Sequence, residues 1–480
     1  MLFSSLPFLF SFMPLFFIMY FIAKKRNIKN YILLVFSLIF YAWGEPFYIL
    51  LMVFSILINY MFALWIEKEH ERENKYNAKV VVISAAIANL ILIGIFKYMG
   101  FILGIFGITA PNIVNIPLPI GISFYTFQIL SYVIDVYRKE VPAQKNVFFL
   151  GSYLAGFPQL IAGPIVRYQT IAYELENRKE NLEDFAAGLR RFIAGLAKKV
   201  LIANTVAALA DAILTTTYNI NGDIIGSVKD YGALGAWLAI IAYSLQIYFD
   251  FSGYSDMAIG MGRMMGFHYL ENFNYPYIAK SVTDFWHRWH ISLSTFFRDY
   301  VYIPLGGNRV STPRWVLNIM IVWGLTGLWH GAAWTFILWG LYFGVILIIE
   351  KLFLQKALEK LEKIPAVSHI YAIILFIFGW VIFRAENVPH IGSIISSMFG
   401  ANGAGSLIDM AEKNVVKFPQ IIAVITGIIC AMPVSRYLKK YLDDNPAGKV
   451  IIDISSVAAL IFCIFSLADN SYNPFIYFIF

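Results

Sequence analysis

Apolar runs of close to 20 residues follow one another along almost the whole of this 480-residue chain, separated by short basic clusters. Crossing the hydrocarbon of a bilayer takes roughly 20 residues of helix, because backbone N–H and C=O groups find no water there and must bond within their own segment. Runs at 6–23, 47–66, 80–96, 196–214, 234–249, 315–329, 332–349, 367–383, 418–434 and 450–467 set the pattern. With shorter neighbours, they predict an all-α polytopic membrane protein of about 10 or 11 transmembrane helices. Only 14% of residues are charged, against about 25% in soluble domains. That is too few to clothe a water-facing surface of this size.

The formal charge of +7 raises the question of nucleic acid. The bases, however, are grouped between apolar runs: Lys24, Lys25, Arg26 and Lys29; Arg138, Lys139 and Lys145; Arg436, Lys439 and Lys440. This is the distribution of cytoplasmic loops under the positive-inside rule, and nucleic acid is not an expected partner. Cys430 and Cys463 both lie in apolar runs and indicate no disulfide framework. Residues 1–23 carry no charge and Lys24 follows them. A cleaved signal would have its charge in front, so a retained span with its N-terminus outside is expected.

Several stretches depart from the simple span-and-loop scheme. Gly44-Glu45-Pro46 reads as a tight turn, 67–79 as a solvated inner loop and the region 111–119 as an external loop. The run 148–165 is interrupted by Gly156, Pro158, Gly163 and Pro164, which predicts a broken or re-entrant element. Residues 167–191 and 351–363 read as amphipathic helices on the inner face. With no linker and no internal repeat, a single integral-membrane domain over 1–480 is expected, its motifs concentrated at about 120–345.

Chemistry is concentrated in two places. Between Arg314 and Glu350, His330 is the only ionisable group other than tyrosine, and Gly324, Gly327 and Gly331 around it allow close approach. Ser281 reads as the N-cap of a helix answered by Asp284, on which His287 and His290 share a face. A metal site there would need further ligands, for which only Asp284 or His268 offers itself. Two neutral imidazoles on facing helices suit acyl transfer: one removes a hydroxyl proton, the other polarises the acyl carbonyl or positions the nucleophile. No Gly-x-Ser-x-Gly elbow is present. The cations Lys280, Arg288 and Arg298, with Arg309 and Arg314, form either ordinary inner-face charge or a mouth for a phosphorylated donor. Trp286, Trp329 and Tyr248 are further candidates for lining a substrate site. Asp250 is one too, unless it and Asp256 hold a helix against Arg288 or orient a histidine.

Phe285-Trp286-His287-Arg288-Trp289-His290, then Phe297-Arg298-Asp299-Tyr300-Val301-Tyr302-Ile303-Pro304-Leu305-Gly306-Gly307-Asn308, then Leu328-Trp329-His330-Gly331, resembles the membrane-bound O-acyltransferase family. Within it the chain looks most like the bacterial alginate O-acetyltransferase branch. Phe40–Trp43, Gly156–Gln159, Ala162–Pro164, Gln246–Asp256, Phe383–Glu386 and the closing Pro474–Phe478 extend the likeness over nearly the whole chain.

The resemblance implies a ring of helices, with re-entrant and amphipathic pieces, around a central funnel or tunnel. It implies His330 as the catalytic histidine and His290 as its partner. The donor would be acetyl-CoA or a carrier-protein thioester, with no tightly bound cofactor. The acyl group would cross the inner membrane to a surface polysaccharide, alginate-like or peptidoglycan, directly or through an extracytoplasmic partner protein. D-alanyl transfer toward teichoic acid is the alternative within the family. A polysaccharide or lipid-linked sugar transporter, its histidines relaying protons, and a non-catalytic scaffold are the rivals outside it. Both termini are expected on the extracytoplasmic side.

Overall fold

A computed structural model describes residues 1–480 except 109–115, 162, 220–221, 362, 444, 470–471 and 476–480. The 111–119 loop, the Ala162–Pro164 motif and the Pro474–Phe478 motif therefore lie wholly or partly outside the described residues. Among the described residues, helices dominate and the only strands form a small antiparallel hairpin, Thr217–Tyr218 with Ile224–Gly226. Among the described residues, seven helices are long and apolar enough to cross a membrane, or eight if the bent pair Phe418–Ala431 and Val434–Leu442 is one span. The chain is a multi-pass membrane protein.

That count is below the expected ten or eleven because several apolar runs belong to helices that are shorter or more polar. Phe8–Ile22 is a short apolar helix, and Ile122–Tyr137 has 16 residues. Other differences come from continuity. The 67–79 segment is mostly helix, with only a turn between Ile49–Glu71 and Lys75–Ile93. The C-terminal part of the amphipathic 167–191 stretch runs on into a single helix, Leu182–Leu214, and most of the 351–363 segment completes Trp334–Leu361. Charged side chains and apolar ones share these helices, so the composition change along them is no boundary. The 148–165 run is broken as expected, into Val147–Leu154 and the short Phe157–Leu160 with Gly156 between them.

The chain divides into two compact units. The first comprises Met1–Ile193 and Tyr254–Glu271. Its core is aromatic: Phe157 lies within 5.0–6.4 Å, ring to ring, of Phe3, Phe8, Phe12, Phe16 and Phe40. Asn59 and Asn89 exchange amide hydrogen bonds at 3.1 and 2.7 Å between two spans, where no water competes. Buried Arg178 donates to the Tyr20 hydroxyl and to Asn30 Oδ1, while Glu180 accepts from Tyr20 and Arg26. Burial alone would raise Glu180, but the hydrogen bonds from Arg26, Tyr20 and Lys29 outweigh it and hold its carboxyl at about 2.

The second unit comprises Ala194–Gly253 and Asn272–Phe480. Its central element is the antiparallel pair Thr312–His330 and Trp334–Ile349. A Cβ on Gly327 would run into the Phe336 carbonyl, and one on Gly340 into the Trp323 carbonyl. Glycine is required at both places for the two backbones to approach this closely. Lys199 and Asp250 form a fully buried ion pair at 2.7 Å, and Lys199 also donates to the Pro474 carbonyl.

Candidate active site

His330 closes its helix, and Gly331 after it is extended. The imidazole is 3% exposed and is boxed in by Trp329, Trp339 and Phe383, with ring centroids 5.0, 4.9 and 5.2 Å away. His290 reaches the same place from a different element. The helix Val282–Arg288 begins at Ser281, whose hydroxyl accepts the Asp284 N–H at 3.0 Å. It stops at Arg288, Trp289 is extended, and His290 is left-handed with φ 45° and ψ 53°. A side chain in that region costs energy that its surroundings must offset. His290 is 1% exposed and lies against Phe251 at 4.6 Å and Trp329 at 5.7 Å. Trp329 thus touches both imidazoles.

Asn272 supplies the offset. Its carbonyl accepts the Ile291 N–H at 3.0 Å, and its Oδ1 accepts the Ser292 N–H at 3.1 Å and the Ser292 hydroxyl at 2.9 Å. The His290 Nδ1 lies 3.2 Å from the same oxygen. An oxygen already taking a backbone N–H is an acceptor, so Nδ1 carries the hydrogen and Nε2 keeps its lone pair. That Nε2 is buried with no hydrogen-bond partner among the described residues. Burial pushes the imidazole down to about 3, so it stays neutral at physiological pH.

The expectation that His287 and His290 share a helical face is corrected, because the helix ends between them. His287 instead lines an open cavity of about 680 Å³ with Lys280, Asp284, Arg288 and His369. Asp284 Oδ1 accepts from Arg288 Nε at 2.7 Å. Asp250 has Lys199, and Asp256 belongs to the first unit, where it meets Arg191 at 2.8 Å. His268 is also in the first unit and pairs with Glu174 at 2.7 Å. Arg298 stays outside the cavity lining, exposed and paired with Asp299 at 2.6 Å. Trp286 packs on Trp323 and Trp339, whereas Tyr248 sits among Phe273, Tyr277 and Trp289. Among the described residues, no three His, Cys, Asp or Glu side chains are placed to share a metal ion.

Three contributors escaped the sequence reading: Asn272, Trp339 and Glu350. Buried Glu350 accepts the N–H groups of Val282 and Thr283 at 2.7 and 2.9 Å, anchoring the helix that leads to His290. Its place at the end of an apolar run was the available signal.

Residues 9–394 match the model of MBOAT, the membrane-bound O-acyltransferase family. A probable alginate O-acetylase AlgI of Azotobacter vinelandii is 38% identical over the full length of both chains. One of Pseudomonas aeruginosa is 42% identical over 96% of this chain and 86% of its own. A peptidoglycan O-acetyltransferase of Helicobacter pylori is 35% identical over 84% of this chain and 80% of its own.

Proposed function

This chain belongs to the membrane-bound O-acyltransferase family, and from that premise we propose that it O-acetylates a cell-surface polysaccharide with acetyl groups drawn from a cytoplasmic thioester. The observation that carries the reading is the pair of buried imidazoles that both pack on Trp329, one of them with an Nε2 that has no hydrogen-bond partner among the described residues. Such a pair needs no covalent intermediate. His330 removes the acceptor hydroxyl proton as that oxygen attacks the acyl carbon, then returns it to the departing thiolate. His290, through Nε2, accepts a hydrogen bond and positions the nucleophile. A general base of this kind contributes about 10²–10⁴-fold.

Lys280, Arg288, His287 and His369 around the cavity support docking of a phosphorylated thioester such as acetyl-CoA. Relatives named for acetylation of alginate and of peptidoglycan favour a polymeric acceptor. The reading puts the protein in the bacterial inner membrane with its termini outside, working with an extracytoplasmic acetyl-transfer protein. Cells carrying His330→Ala should keep the protein in the membrane and lose ester-linked acetate from the surface polymer. Unchanged polymer acetate in that strain contradicts the proposal, and loss of D-alanine esters instead would move the activity to teichoic acid.

A further inference from the structure

We propose that Trp339 is a catalytic residue whose indole Nε1–H binds the oxyanion formed on the acyl group; this rests on the acyltransferase reading above. The indole is 1% exposed and stands edge-on to His330, with centroids 4.9 Å apart and planes at 80°. Trp286, Phe343 and Phe383 close around it at 5.5, 5.3 and 5.1 Å. Trp286, Phe343 and Phe383 offer its N–H no strong acceptor. The Nε1–H is buried with no hydrogen-bond partner among the described residues. A buried donor in that condition calls for an explanation; the Trp286 N–H shares it, but it is Trp339 that packs on His330.

Gly340, the next residue, lies so close to the Trp323 carbonyl that no Cβ fits between them, which sets the backbone beside Trp339 close against the helix that ends at His330. Preorganised donors of this kind, in a water-excluded site, act where charge develops in the transition state. The indole N–H is never ionised at physiological pH, so it donates without competing for the proton that His330 carries.

The step balances as follows. The acceptor oxygen bonds to the acyl carbon while its proton passes to His330. The carbonyl π pair moves onto the acyl oxygen, to which Trp339 donates. That pair then re-forms the carbonyl, the C–S bond breaks, and the thiolate leaves with the proton from His330. The products are the ester and the free thiol.

The test uses full-length protein in nanodiscs with acetyl-CoA, following thiol release for wild type, His330→Ala, Trp339→Phe, and protein carrying benzothienylalanine at 339. Benzothienylalanine keeps the bicyclic shape and replaces N–H by sulfur. Both Trp339 variants should lose about 10²-fold in kcat, as for removal of one oxyanion donor. Their KM for acetyl-CoA should stay within about 2-fold, since the lost bond forms only in the transition state. Wild-type kcat with benzothienylalanine, alongside an inactive His330→Ala, overturns the oxyanion role and leaves the acyltransferase reading standing. Wild-type protein that consumes neither acetyl-CoA nor a carrier thioester overturns that reading, and this inference with it.

Discussion

His290 Nδ1 lies 3.2 Å from Asn272 Oδ1, an oxygen that also accepts the Ser292 N–H at 3.1 Å. One amide therefore sets both the tautomer of the imidazole and the left-handed backbone that carries it. Outer partners of this type, when removed from functional histidines, cost about 10–100-fold. Asn272→Ala should lower thioester turnover by that order, measured in purified protein of unchanged melting temperature. Turnover equal to wild type would show that His290 does not depend on its tautomer.

Acidity should affect His290 little. Burial holds it near 3, while an unperturbed histidine titrates near 6.5. A depressed histidine takes up its proton only below the folded value, so Nε2 remains a lone pair throughout pH 5–8. Any acid limb of kcat/KM in that window comes from another group and should persist, at lower amplitude, in His290→Gln. Asn272→Asp puts a carboxylate beside the ring, which favours its charged form and raises its pKa. That variant should lose activity at a higher pH than wild type.

The close helix pair gives a prediction for packing. A methyl at Gly340 meets the Trp323 carbonyl and cannot be absorbed by a flexible side chain. Overpacking of this sort typically costs about 1–3 kcal/mol. Gly340→Ala should lower the melting temperature in detergent and shift the Trp339 and His330 rings together, reducing kcat. A variant with both melting temperature and kcat unchanged would mean that the pair opens freely.

The cations of the cavity should act on binding. Lys280→Gln and Arg288→Gln remove charges that would face a phosphorylated donor under the proposed function, and hydrogen bonds to charged groups are each worth about 1.5–3 kcal/mol. KM for acetyl-CoA should rise about 10-fold or more, with kcat little changed. Arg298→Gln, whose side chain meets Asp299 outside the cavity lining, should leave KM alone. Equal effects of all three would reduce the cavity to general surface charge.

Much of this organisation is legible in the chain because the membrane enforces it. A lone ionisable group in a long apolar run, as at His330, is too costly to be casual, and the N-cap at Ser281 has a local signature that the structure reproduces. The spacing argument fails for His287 and His290 because it assumes an unbroken helix, whereas the backbone turns left-handed at His290. Asn272 and Trp339 are invisible for a different reason. Each matters through contacts made across the fold, and neither polar asparagine among aromatics nor tryptophan in an apolar run is distinctive by itself. Helix boundaries are hidden too, since polar and apolar stretches merge into single helices such as Leu182–Leu214.

His330 is the residue on which the proposed chemistry depends most directly. Purified protein in nanodiscs, given radiolabelled acetyl-CoA with and without an extracytoplasmic partner, reports thioester cleavage and label transfer in one assay. Wild type should consume the donor, and His330→Ala should do so about 10²–10⁴-fold more slowly while folding and inserting normally. Equal rates for the two proteins would contradict a catalytic role for His330.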